Sequence, residues 1–140
     1  MQEQDNRQLP ERQQKPSSVL LIDDDQDILT NLKRLLELKG MNTHGFTNPV
    51  LAVEHFRNNA DNYDIVVTDI RMPQMNGFEV ARAVKEIRQD IKLAFITAFE
   101  IHKSEFEKVL PSTKVDAFIT KPVKPTTFVE RIKEVMHHQS

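Results

Sequence analysis

Three aspartates stand in a row at Asp23, Asp24 and Asp25, directly after the apolar run Val19 to Ile22. A fourth, Asp69, follows the run Asp64-Ile-Val-Val-Thr68, Thr97-Ala98 closes a third run, and Lys121-Pro122 follows a fourth. Carboxylates crowded together repel one another unless a cation lies between them, and Mg²⁺ takes one or two carboxylates together with phosphate oxygens and waters. A hydroxyl and an ammonium are groups that hold the equatorial oxygens of a phosphoryl group. Each residue also has an ordinary reading. Asp24 or Asp25 suits the N-cap of a following helix, Thr97 is a good strand former, Lys121 would be a solvated lysine, and Asn76-Gly77 a turn and cap. A purely structural account must explain all of them at once.

The elements that would position these groups alternate along the chain. Apolar runs fall at 19–22, 43–46, 64–68, 92–97 and 116–120, rich in Val, Ile, Phe and Thr. Four of the five lack polar alternation, as strands buried on both faces should. Between them lie helical stretches. The first covers Gln26 to Lys39, with Ile28, Leu32, Leu35 and Leu36 on its inner stripe and Gly40 as its stop. The second begins at Asn48-Pro49, and the third at Asn76-Gly77 with Phe78, Ala81 and Val84 inward. A fourth is expected over 103–110, ending before Pro111, and a fifth after Pro125 with Phe128, Ile132 and Val135 inward. Strands and helices in alternation specify a parallel sheet covered on both faces, with ligands received at the carboxyl edge of the strands. The pattern alone leaves strand order open. Residues 1–17 are polar, Gln-rich and carry two prolines, so a flexible tail is expected before a domain at 18–138.

Composition removes several classes of function. The 140 residues carry a formal net charge of −2 and no cysteine, which excludes disulfides and thiol chemistry and offers no basic field for nucleic acid. No apolar run is long enough for a membrane span, and no signal peptide is visible, so a cytoplasmic protein is expected. The three glycines, Gly40, Gly45 and Gly77, cannot build a dinucleotide or P-loop fingerprint.

The strings VLLIDDD, VVTDIRMPQMNG, FITA and FITKP resemble, in order and spacing, the signature of receiver domains of two-component response regulators, in the manner of a stand-alone chemotaxis regulator. The resemblance implies a flavodoxin-like (βα)5 doubly wound sheet of order 2-1-3-4-5, in three layers. It implies Asp69 as phospho-acceptor, with Lys121 pairing first with Asp69 and then with a phosphoryl oxygen, and Thr97 bonding another of those oxygens. It assigns Mg²⁺ to Asp24, Asp69 and the backbone carbonyl of Arg71, with Asp23 acting through water, and Mn²⁺ or Ca²⁺ able to substitute. Thr97 and Phe118 would be the switch residues, Ala98 would leave space beside the phosphoryl group, and Lys121-Pro122 would be cis. Arg71 and Phe99, each two residues past a site residue, would shield the phosphate from water and lengthen its life. A sensor histidine kinase or phosphotransfer protein would be the donor. A downstream protein of unknown identity would read the fourth helix, last strand and fifth helix. No nucleic acid or membrane partner, no output domain in this chain, and a monomer or weak dimer complete the expectation. The module would catalyse only its own phosphoryl uptake and slow loss.

Asn76 stands where the family often has Asp, and both residues cap helices. The stretch from Thr97 to Lys121, with Pro111 inside it, is slightly longer than usual. Two rival readings compete: a magnesium phosphatase of the haloacid dehalogenase type, and a receiver-like module that is never phosphorylated. The first needs a later acidic pair, for which only the helical Glu130 and Glu134 are present. Against the second, all five site residues are intact.

Overall fold

A computed structural model describes residues 16–98 and 113–137. Five strands form one parallel sheet: β1 Ser18–Ile22, β2 Asn42–Phe46, β3 Ile65–Asp69, β4 Lys92–Thr97 and β5 Ala117–Thr120, in the order β2-β1-β3-β4-β5. Four helices are described, α1 Gln26–Leu38, α2 Pro49–Asn59, α3 Gly77–Ile87 and α4 Pro125–His137, with a 3-10 turn at Ala60–Asn62. The helix expected over 103–110 lies outside the described residues, as does Phe99.

The continuous apolar runs serve two cores at once, because successive strand residues point to opposite faces. Leu20, Ile22, Val66, Leu93 and Phe95 pack with residues of α2 and α3 on one face. Val19, Leu21, Ile65, Val67, Ala94 and Ile96 pack with α1 and α4 on the other. The three layers follow directly. A core phenylalanine such as Phe95, touching Phe78 and Phe118 at ring separations of 5.5 and 5.6 Å, contributes about 3–5 kcal/mol relative to alanine.

Local signals set where the helices start. Asp25, not Asp24, caps α1: its Oδ1 accepts from the amides of Asp27 and Ile28 at 2.9 and 3.2 Å. Asn48 caps α2 with Pro49 at its first position. Asn76 and Glu79 form a reciprocal capping box on α3, each bond 2.9 Å. Gly40, at φ 85°, ends α1 in the left-handed region that favours glycine. The inner face of α1 is centred on Leu29, Leu32 and Leu36, with Ile28 and Leu35 only half-buried. On α3, Val80 joins Ala81 and Val84 inside, while Phe78 is half-buried. Each stripe is thus rotated slightly from the expected one, since the sheet decides which flank of an amphipathic helix meets it. No helix among the described residues is long and apolar enough to cross a membrane.

Candidate functional site

Parallel register carries the charged residues to one edge. Ile22 lies opposite Thr68, Asp69 opposite Ile96, and Thr97 opposite Thr120, so the next residue of each strand or loop emerges at the same level. Asp23, Asp69 and Thr97 are buried there, at 0, 6 and 3% exposure, while Asp24 is exposed. Lys121 follows β5, and its amide donates to the Thr97 carbonyl at 2.7 Å, tying the two strand ends together. The Lys121-Pro122 bond is cis, as expected.

The Lys121 ammonium sits between two carboxylates. Nζ donates to Asp69 Oδ2 at 3.2 Å and lies 3.1 Å from Asp23 Oδ2. The second contact is an ion pair poorly aligned for a hydrogen bond, so Asp23 Oδ2 is buried without a well-directed donor. Asp23 Oδ1 is satisfied by the amide of Asp25 at 2.9 Å, and Asp69 Oδ1 by the amide of Ile70 at 2.8 Å. Burial pushes the Asp23 carboxyl above its ordinary value, and the Asp69 charge adds to this against the Asp25 amide and the Lys121 ammonium. For Lys121, burial acts to lower the ammonium's pKa. The close contacts with Asp23 and Asp69 and their charges outweigh it and hold the pKa above the ordinary lysine value.

Carboxylate oxygens of Asp23, Asp24 and Asp69 lie within 4.8 Å of one another. Three acids against one ammonium, with one buried oxygen lacking a donor, make a site that could hold a metal ion. The all-oxygen donor set suits a hard divalent cation such as Mg²⁺ rather than zinc or copper. Arg71 and Ala98 are exposed beside this edge, and Phe118 is half-buried one layer below, against Phe95. The geometry therefore brings together Asp23, Asp24, Asp69, Thr97 and Lys121. The pairing of Lys121 with Asp23 was not anticipated from sequence. The one available hint was that a buried acid beside an exposed one needs its own counter-charge.

A close approach behind the site was also missed. Gly77 reads in sequence as a turn residue, yet its amide donates to Ile70 O at 2.7 Å. A Cβ on Gly77 would overlap the carbonyl oxygen of Asp69 and come within 2.8 Å of Ile70 Cα.

Comparison with known proteins matches residues 19–133 to the family described as response regulator receiver domain. The response regulator receiver protein CpdR of Brucella abortus is 38% identical over 81 residues, 58% of this chain and 66% of that protein. A CheY-like receiver domain protein from Methanospirillum hungatei is 28% identical, with a TM-score of 0.77 over 87% of this chain and 94% of the other. The CheX-CheY-BeF3-Mg²⁺ complex from Borrelia burgdorferi contains a chain 25% identical, with a TM-score of 0.80 over 94% and 98%. The chain spans less than two thirds of the curated relatives it matches, from 13% of a sensor kinase to 54% and 66% of two regulators.

Proposed function

The chain belongs to the response regulator receiver domain family, and on that premise we propose that it is a signalling module switched by phosphorylation of Asp69. The observation that carries the reading is the Lys121 ammonium held between Asp23 and Asp69, 3.1 and 3.2 Å away, at the edge where three carboxylates meet. A carboxylate oxygen of Asp69 attacks the phosphorus of a phosphohistidine on a sensor kinase or phosphotransfer protein. A P–O bond forms, the P–N bond breaks, and the imidazole nitrogen keeps the electron pair and takes up a proton. A carboxylate nucleophile carries no proton to be removed, so the step needs no general base. Lys121 exchanges its contact with Asp69 for a phosphoryl oxygen, and the Thr97 hydroxyl takes another. Ala98 leaves the approach open.

Asp24, Asp69 and the Arg71 carbonyl would hold Mg²⁺, with Asp23 acting through water and Mn²⁺ or Ca²⁺ able to replace it. Bound, the ion offsets the carboxylates' charge and draws electron density from the phosphoryl oxygens. The Borrelia relative, with beryllofluoride, Mg²⁺ and a protein partner together, supports this reading.

Movement of Thr97 toward a phosphoryl oxygen would free space for Phe118, which borders Phe95 at 5.6 Å, and bias the packing of β5 and its neighbours. A downstream protein would read that face. Arg71 and Phe99 would slow hydrolysis. The domain would run over 18–138 after a tail at 1–17, in the cytoplasm, as a monomer or weak dimer. The test is mass spectrometry after incubation with acetyl phosphate and Mg²⁺. The protein should gain the mass of one phosphoryl group, lost on removing Mg²⁺ and in Asp69→Ala. An unmodified wild type, or a modified Asp69→Ala, would refute the assignment.

A further inference from the structure

The acceptor's own peptide unit is held from two sides. Thr68 is fully buried on β3, and its Oγ1 donates to the carbonyl oxygen of Asp69 at 2.8 Å. At the other end of the same unit, the Ile70 N–H donates to Asp69 Oδ1 at 2.8 Å. A peptide unit is rigid and planar, so the tilt that the carbonyl adopts also decides where the N–H points. That direction fixes where Oδ1 rests. Gly77 closes the far side: any side chain there would strike this carbonyl. Its φ is not in the left-handed region, so close approach, not backbone conformation, requires the glycine. Packing alone does not call for threonine at 68. Valine has the same β-branched shape and no hydroxyl to satisfy among buried neighbours.

We propose that Thr68 is a positioning residue for phosphoryl acceptance, its hydroxyl setting the tilt of the Asp69–Ile70 peptide and thereby the Asp69 carboxylate, with Gly77 as the stop behind it. The proposal rests on the reading of Asp69 as acceptor. Thr68→Val removes the hydroxyl and keeps the shape, while Thr68→Ser keeps the hydroxyl. Two readouts are needed: the rate of phosphoryl uptake from acetyl phosphate with Mg²⁺, and the Ile70 amide resonance in metal-free protein. Uptake should slow about three- to tenfold in Thr68→Val, the scale of one lost hydrogen bond, and return in Thr68→Ser. The Ile70 amide should shift in the valine variant and return in the serine variant. Gly77→Ala should slow uptake further by pushing on the same carbonyl. Wild-type uptake in Thr68→Val with an unmoved Ile70 amide overturns the proposal. Equal slowing in Thr68→Val and Thr68→Ser overturns it too, since packing would then be the cause. If the wild type takes no phosphoryl group while the Ile70 amide still follows the hydroxyl, the acceptor reading falls and takes this role with it, although the clamp itself survives.

Discussion

The carboxylates at the carboxyl edge of the sheet and the imidazoles on its β2 side are both polar groups gathered from distant parts of the chain, and they meet burial in opposite ways. On the β2 side, the Tyr63 hydroxyl lies 2.6 Å from His55 Nε2 and 2.7 Å from His44 Nδ1. A hydroxyl donates one proton and accepts others, so it can donate to one ring nitrogen and accept from the other. Burial pushes the Tyr63 phenol up to about 12, and burial followed by the nearby His44 lowers His55. The acid site is the reverse: two buried carboxylates share one ammonium, and an oxygen of Asp23 lacks a directed donor. The difference separates a polar cluster whose groups pair among themselves from one whose charges stay unbalanced within the protein.

Relieving the crowding in the acid site should have the largest effect. Asp23→Asn leaves a one-to-one pair of Lys121 with Asp69, so metal-free stability should rise by about 1–2 kcal/mol, the scale of one badly placed buried polar group. Mg²⁺ affinity should fall at least about tenfold, because a charge that favours the cation is gone. Denaturant melts in chelator and a Mg²⁺ titration read by NMR measure both. A destabilised variant with unchanged affinity would mean that Asp23 is a structural acid.

The satisfied cluster should respond in the opposite direction. Tyr63→Phe removes one hydrogen-bond partner from each of two imidazoles, His44 exposed and His55 half-buried, and should cost about 1 kcal/mol while leaving Mg²⁺ affinity untouched. A neutral effect on the denaturation midpoint would make the network incidental.

The smallest effect is in pH. His55 titrates lower in the fold than in the unfolded chain, so between the two values the unfolded chain binds more protons. The stability this neutral imidazole supplies is complete above the ordinary histidine value and is lost as pH falls through it toward the folded value. Thermal midpoints from about pH 7 down to about pH 5 should therefore drop more for wild type than for His55→Gln. Parallel curves would remove His55 as the source.

How much of this was legible depended on the range of the interaction. The five strands were readable because buried parallel strands are apolar on both faces, and the helix starts because Asp25, Asn48 and Asn76 bond amides two or three residues away. The site residues were readable as a set, since a parallel sheet sends every strand end to one edge and the motif spacing matched a known family. The pairing of Lys121 with Asp69 came only with the family resemblance, since 52 residues separate them, and the second contact of Lys121, with Asp23, was not legible at all. Nor was the Tyr63 network: Tyr63 is 19 residues from His44 and 8 from His55, so no local pattern links them. Leu29 replaced Ile28 at the centre of α1's inner face for the same reason: the sheet, not the helix, selects the buried flank.

The sequence by itself determined the alternation of strands and helices, the caps, and the residue types available at the sheet's carboxyl edge. These follow from backbone hydrogen bonding and side-chain period, which act over a few residues. Tertiary structure alone decided that Lys121 also meets Asp23, and that Gly77 lies against the Asp69 carbonyl. Both depend on where separate elements come to rest, and close packing fixes that only when both cores are filled.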